Sequence, residues 1–244
     1  MTHVIVPPAM LGAVPETEFP AGLTLLVGGE ALSRDLVARW SPGRRTVNAY
    51  GPTESTVAAT FTGPLGGGDG PVPIGQALPT TRVHVLDGAL RPVAVGRCGE
   101  LYIAGTALAR GCLRQAGATA ERFVADPFGT PGERMYRTGD VVRRLTDDEL
   151  EFVGRADDQV KVRGFRVHLG AIEKAIEAHP GVARAVVLQH ADGPSGSRLV
   201  AYFTCAAPDG AGPGRRSASC ASCSGSRYAT TWSRPSSSGW TPGR

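Results

Sequence analysis

Apolar and polar positions change their period along this chain. Near the N-terminus, short apolar runs alternate with stretches of helical spacing. "LTLLVGG" (23–29) predicts a buried strand ending in a glycine turn. "EALSRDLVARW" (30–40) sets Leu32, Leu36, Val37 and Trp40 at helical spacing, and "TVNAY" (46–50) predicts the next strand. Strand, helix and strand in that order predict α/β structure with a parallel pair. The glycine-rich "GPLGGGDGP" (63–71) reads as a loop.

Residues 72–145 have a different character. "TRVHVLD" (81–87), "GELYIAG" (99–105) and "DVVRRL" (140–145) predict strands separated by Gly and Pro turns. One helix is expected at "AGATAERFVAD" (116–126), stopping before Pro127. A third character begins at 154, where "GRADDQVKVRG" is charged and bounded by glycines, as a linker or hinge would be. "LGAIEKAIEAH" (169–179) places Leu169, Ile172, Ala175 and Ile176 on one helical face, and "VARAVVLQHA" (182–191) and "RLVAYFTC" (198–205) predict strands. Together these make a small α+β lobe. Of the 39 residues from 206 onward, 30 are Arg, Ser, Gly, Pro or Ala, too few apolar groups to offset the entropy of ordering. The expected division is therefore 1–153, 154–205 and a disordered or frameshifted tail at 206–244.

Composition narrows the class. A chain of 244 residues with 41% hydrophobic content can bury one sizeable core or two smaller ones. No apolar run nears the roughly 18 residues that span a bilayer. The start, "MTHVIVPPAML", has no Lys or Arg before its apolar stretch and is interrupted by Pro7-Pro8, which argues against a secretory signal. Five scattered cysteines form no disulfide framework, so a reducing cytoplasm is the expected location. The net charge of +4 lies in the tail, whose five Arg and one Asp account for all of it. The rest of the chain is neutral, which argues against a nucleic-acid face.

By residue type alone, Glu54 in "NAYGPTEST" reads as a solvated loop carboxylate and Asp140 as a turn cap. Arg155, Asp157 and Lys161 read as a charged linker, and Ile5, Leu26, Val57 and Ala58 as plain core. The histidines are scattered, and Cys220-Ala-Ser-Cys223 has no second pair to complete a zinc site.

Four stretches taken in order change that reading. "NAYGPTEST" (48–56), "GELYIAGTALARGCLRQAGATAERFVADPF" (99–128), "RMYRTGDVVRR" (134–144) and "GRADDQVKVRGFRVHLGAIE" (154–173) resemble the adenylation domains of nonribosomal peptide synthetases. These belong with the wider AMP-binding, acyl-adenylate-forming enzymes. "LLVGGEAL" (25–32) also fits, and the resemblance covers about 1–205. The "ERFVADPFG" ending points to the amino-acid-activating branch rather than to acyl-CoA or aryl-acid ligases. The implied fold is α/β. It is the C-terminal part of a large adenylate-forming core, a parallel α/β portion plus a β-rich subdomain, followed by a truncated small α+β lobe.

The resemblance implies ATP and Mg²⁺ as cofactors, an amino-acid substrate, and a peptidyl carrier domain whose phosphopantetheine thiol takes the activated acyl group. It assigns Thr53 to the α-phosphate, Glu54 to Mg²⁺, Tyr50 to the adenine face, and Asn48 with the Ala49 carbonyl to the adenine amino edge. Residue chemistry is compatible with each, since Mg²⁺ takes hard oxygen ligands and few carboxylates. Asp140 of "TGD" takes the ribose hydroxyls, Arg155 contacts ribose or phosphate, Asp157 is the hinge residue, and Lys161 falls in a loop that approaches the site for thioester formation. The substrate pocket maps onto Ile5, Leu26, Gly28, Ala49, Val57 and Ala58, all apolar or small, so an apolar amino acid is expected.

Three departures stand beside the resemblance. Nothing in 1–47 resembles the family's phosphate loop. The only lysines are Lys161 and Lys174, so the family's late Gly-Lys lysine has no counterpart. "RVHLGAIE" replaces two family glutamates by His168 and Ala171 but keeps Glu173. Three readings follow. One is a chain with little activity alone, partnered by an upstream split half. The second is a non-catalytic remnant that at most binds nucleotide or a partner, and the third is an acyl-CoA or aryl-acid ligase fragment.

Overall fold

The structure, a computed structural model, describes residues 2–145, 149–157, 159–162, 165–191, 197–205 and 228–231. Contacts divide the chain into two compact units, Met1–Asp157 and Asp158–Arg244. The sequence boundary at 153/154 falls inside the last strand of the first unit, because that strand stays paired as far as Arg155.

The first unit opens with β1 (His3–Val6), α1 (Pro8–Ala13), β2 (Thr24–Gly28), α2 (Arg34–Trp40) and β3 (Arg45–Tyr50). β1, β2 and β3 pair in parallel, as the strand–helix–strand pattern predicts. Helix α2 starts later than its apolar spacing, at Arg34, because the Ser33 hydroxyl caps it by accepting from the Leu36 N–H at 3.3 Å. Leu11 of α1 and Val37 and Trp40 of α2 pack on Val6, Leu25 and Val27 of the sheet. Trp40 is fully buried and its indole N–H donates to the Leu11 carbonyl at 3.2 Å. Truncating a side chain of this kind to Ala costs about 3–5 kcal/mol.

The β-rich part follows as β4 (Thr60–Phe61), β5 (Pro73–Ala77), β6 (Thr81–Leu86), β7 (Cys98–Gly105), α3 (Ala116–Arg122), β8 (Phe123–Ala125), β9 (Arg134–Arg144) and β10 (Leu150–Arg155). The strands run in the order β1-β2-β3-β4-β5-β10-β9-β7-β6, with β8 on β9. Two sequence expectations change here. The helix expected over 116–126 stops at Arg122, because Phe123 is buried against Tyr136, ring centroids 5.0 Å apart, and its strand pairs with β9. The strand expected at 140–145 begins at Arg134, so "YRTGD" lies within β9 rather than in a turn before it. A second core joins Tyr50, Ile74, Val85, Leu101, Ile103, Val142 and Leu150.

The second unit contains β11 (Gln159–Val162), β12 (Phe165–His168), α4 (Leu169–Glu177), β13 (Val182–Ala191), β14 (Ser197–Cys205) and β15 (Tyr228–Thr231). The stretch read as a linker over 154–164 thus holds the end of β10 and all of β11, which pairs antiparallel with β12. At that pair, His168, which replaces a family Glu, meets the Gln159 amide at 2.7 Å. Glu173 also gains a role: its carboxylate accepts the Val187 N–H at 2.9 Å, while Glu177 accepts that of Ala185 at 3.0 Å. Both bonds satisfy donors on the outer side of β13, which β14 does not reach. Within the span that composition sets apart, Tyr228–Thr231 pair with β14, and the other residues of 206–244 lie outside those described. Among the described residues no helix is long and apolar enough to cross a membrane.

Candidate functional site

The "GPTE" turn begins where β3 ends. Gly51 is required there: a Cβ would come within 2.6 Å of the Ala58 Cα and 2.8 Å of the Ala59 nitrogen. Both are backbone atoms with no room to yield. The turn continues through one 3-10 turn, Thr53–Ser55, to Thr56 at φ 76°, ψ −81°. With the Val57 N–H donating to the Ser55 carbonyl at 3.2 Å, residues 55–57 form a γ-turn of the strained, positive-φ kind. For a β-branched residue this geometry costs on the order of 1–3 kcal/mol. Neighbouring contacts hold it in place. The Thr56 hydroxyl donates to the Ala107 carbonyl at 2.7 Å, and the Ala109 N–H donates to the Glu54 carbonyl at 2.8 Å. This pins the turn to the segment after β7, with Thr53 exposed and Glu54 half-buried.

Asp140 lies across from this strand end. In β9, the register against β7 slips between Glu100 and Tyr102, so that residues 138–140 oppose Leu101 alone. This bulge, with Gly139 at φ 76°, re-aims Asp140 inward. The Thr138 hydroxyl fixes the bulge by donating to the Leu101 carbonyl at 2.7 Å and accepting the Asp140 N–H at 3.0 Å. Asp140 is 3% exposed. One of its carboxylate oxygens accepts from the Tyr50 hydroxyl and the other from the Arg155 guanidinium. Arg155 faces Asp140 across the β9–β10 pair and also donates to the Asp157 carboxylate at 2.7 and 2.9 Å.

The electrostatics follow from this packing. Burial pushes the Tyr50 phenol well above its ordinary value, and the Asp140 charge adds to the rise, so Tyr50 is a donor at neutral pH. Burial pulls Arg155 downward, but the Asp157 and Asp140 carboxylates outweigh it and hold the guanidinium charged. The result is a buried carboxylate between a neutral hydroxyl and a fixed cation.

Residues 1–113 match the family of AMP-binding enzymes. The chain is 55% identical over 206 residues to a probable non-canonical nonribosomal peptide synthetase of Salinispora arenicola, an alignment covering 83% of this chain and 3% of that protein. In structure it is similar to a nonribosomal peptide synthetase protein containing adenylation and PCP domains, with TM-score 0.75 and 30% identity, over 84% of this chain and 43% of the other. It is also similar to a four-domain nonribosomal peptide synthetase bound to AMP and glycine, with TM-score 0.60 and 36% identity, over 86% of this chain and 16% of the other. This chain belongs to the AMP-binding enzymes. It spans less than half the length of each of these relatives.

In this chain the residues singled out from sequence separate into groups. Tyr50, Asp140, Arg155 and Asp157 form one hydrogen-bonded network. Tyr50 is 6% exposed, with its ring packed in the second core and its hydroxyl on Asp140. The Asn48 amide is buried and donates to the Pro73 carbonyl at 2.7 Å, which ties β3 to β5. By strand register, Ile5, Leu26, Gly28 and Ala49 share the face of the parallel strands opposite Leu25 and Val27. Gly28 is closely covered there, since a Cβ would lie 2.6 Å from the Ala49 carbonyl oxygen. Ile5 and Val57 are 82% and 78% exposed, and Ala58 is half-buried. Lys161 sits on β11 opposite Arg166, and its side chain lies outside the described residues. Among the described residues, no group of three or more His, Cys, Asp or Glu is placed to hold a metal.

Sequence reasoning did not single out Thr138, Thr56 or Arg122. The signal for Thr138 was present, because a Thr before Gly-Asp can brace a bulge by side-chain bonds. No pattern marks a positive φ at a threonine.

Proposed function

We propose that the Asp140 network and the 51–56 turn bind ATP, and that the chain takes part in activating an amino acid as its aminoacyl-adenylate. In that reaction a substrate carboxylate oxygen bonds the α-phosphorus, the bond to the bridging oxygen breaks, and pyrophosphate leaves. A phosphopantetheine thiol of a carrier domain then attacks the acyl carbon, AMP departs, the thiol proton is lost and a thioester forms. The single observation that carries the reading is the buried Asp140 carboxylate. It already accepts from a hydroxyl on one oxygen, the kind of donor a ribose diol offers. Arg155 holds that carboxylate in place through a charge-assisted bond to its other oxygen.

The remaining roles are those the family resemblance implies, and the chemistry of the residues is compatible with them. Thr53, exposed on the turn, offers a hydroxyl to an α-phosphate oxygen, and Glu54 offers one hard ligand to Mg²⁺. Mg²⁺, when bound, would neutralise phosphate charge. Ala49 offers its carbonyl to the adenine edge. Asp157, at the boundary of the first unit, is the hinge residue, and Lys161 approaches the site in thioester formation. Ile5, Leu26, Gly28, Ala49, Val57 and Ala58 line an amino-acid pocket suited to an apolar side chain.

Fluorescence titration of the full chain with ATP tests the central step. Asp140→Asn is expected to weaken binding by about 10- to 100-fold, the loss of charge-assisted bonds. Equal affinity of the two proteins rejects the site. Amino-acid-dependent ATP–pyrophosphate exchange, measured for the chain alone and with any polypeptide encoded just upstream, separates activation from binding. Tight ATP binding without exchange in either setting favours a non-catalytic nucleotide-binding role.

A further inference from the structure

One cation beside the site has no role in the account above. Arg122 is the last residue of α3, and its Nη2 lies 3.4 Å from the Asp157 carboxylate. Asp157 therefore receives two guanidinium groups from different elements, Arg122 from α3 and Arg155 from β10. All three side chains converge over Gly139. A Cβ there would lie 2.7 Å from Arg155 Nη2, 2.8 Å from the Asp157 carboxylate and 3.3 Å from Arg122 Nη1. The glycine of the bulge thus supplies the conformation that turns Asp140 inward and also the space in which the three charged groups meet.

The geometry of Arg155 makes this arrangement consequential. Its Nε and Nη2 face Asp157, its Nη2 also donates to the Thr138 carbonyl at 3.1 Å, and its Nη1 is on Asp140. A planar guanidinium gripped along one edge presents its remaining nitrogen in a fixed direction. The Asp157 carboxylate is that grip. It is 26% exposed and sits at the end of the first unit, where a free rotamer would cost little. A second cation anchored to a helix removes that freedom.

We propose that Arg122 is a positioning residue of the nucleotide site. By holding Asp157 it fixes the Arg155 guanidinium, and through it the orientation of the Asp140 carboxylate toward ribose hydroxyls. This rests on the reading of Asp140 as the ribose ligand. The chain of contacts runs from α3 through one carboxylate and one guanidinium to the second carboxylate, entirely within the first unit.

The test compares ATP with 2′,3′-dideoxy-ATP, which lacks both hydroxyls, on the full chain. Arg122→Gln is expected to lose about 3- to 10-fold in the preference for ATP, with affinity for the dideoxy nucleotide unchanged. Asp157→Asn should lose the same preference, the double variant should be no worse than either single one, and Arg122→Lys should fall between. If Arg122→Gln keeps the preference, or weakens both nucleotides equally, the positioning role is wrong. A ligand-free measurement decides the same point. Solvent exchange of the Arg155 Nε–H, followed by ¹⁵N NMR, should quicken in Arg122→Gln, and unchanged exchange overturns the proposal. If the wild type shows no preference, or Asp140→Asn retains it, the ribose reading fails, while the NMR result still judges Arg122.

Discussion

Tyr50→Phe removes one oxygen atom and no carbon, so it isolates the hydrogen bond from Tyr50 to Asp140. The ring stays in the second core, among Ile74, Val85 and Leu101, and no cavity opens there. The loss falls on a carboxylate that is 3% exposed and cannot turn to bulk water for a replacement. A bond to a charged group contributes about 1.5–3 kcal/mol net, and the acceptor left behind keeps its desolvation cost, so a loss of about 2 kcal/mol is expected. That is roughly a 30-fold change in the folded-to-unfolded ratio and, for a unit of this size, a fall of about 4–8 °C in Tm. Urea titration followed by tryptophan fluorescence measures it, since Trp40 is fully buried in the same unit. Asp140→Asn and the double variant complete a cycle, which should show coupling of about 1 kcal/mol or more. Additive losses, or a Tyr50→Phe protein within about 0.5 kcal/mol of the wild type, would refute the account of Asp140 as held from both sides.

Two further outcomes follow from other parts of the molecule. His84 is held below its ordinary value, first by burial and then by Arg82 and Arg144, against the pull of the Asp126 carboxylate 3.7 Å away. The unfolded chain therefore takes up this proton first, near pH 6.5. The stability contributed by neutral His84 is complete above that pH and is lost as pH falls through the lower folded value. His84→Gln should flatten the pH dependence of the urea midpoint in that window, and an unchanged slope counts against the assignment. In the second unit, Glu173→Ala leaves the Val187 N–H without its carboxylate and should cost about 1–2 kcal/mol by thermal melting, whereas Glu173→Gln keeps an acceptor and should cost less. Equal losses in the two variants would show that the charge, not the hydrogen bond, matters.

Much of the fold was legible because its signals are local. The periods of β2, β3, β7, α4, β13 and β14 are each set by neighbours within a few residues, and their positions agree with the sequence reading. The misreadings came where a distant partner decided. Phe123 leaves a helical pattern because Tyr136 covers it. β11 carries the charges of a linker but pairs with β12. The turn at 51–56 was identified by its residues, yet its strained Thr56 was invisible, since contacts with Ala107 and Ala109 hold that conformation and sequence spacing does not.

The sequence by itself determined the strands and helices whose patterns are local, among them β2, β3, β7, α4, β13 and β14, the order of four motifs, and hence membership among AMP-binding enzymes. It also named Tyr50, Asp140, Arg155 and Asp157 as separate candidates. Only the tertiary structure decided that they form one network. Tyr50 and Asp140 are 90 residues apart and Arg122 and Asp157 are 35 apart, and no local preference relates either pair. Their meeting depends on the strand order that sets β10 beside β9 and on a bulge that turns Asp140 inward. Register and bulges are properties of paired strands, so the chemistry of each residue could be read along the chain, but its partners could be read only across the sheet.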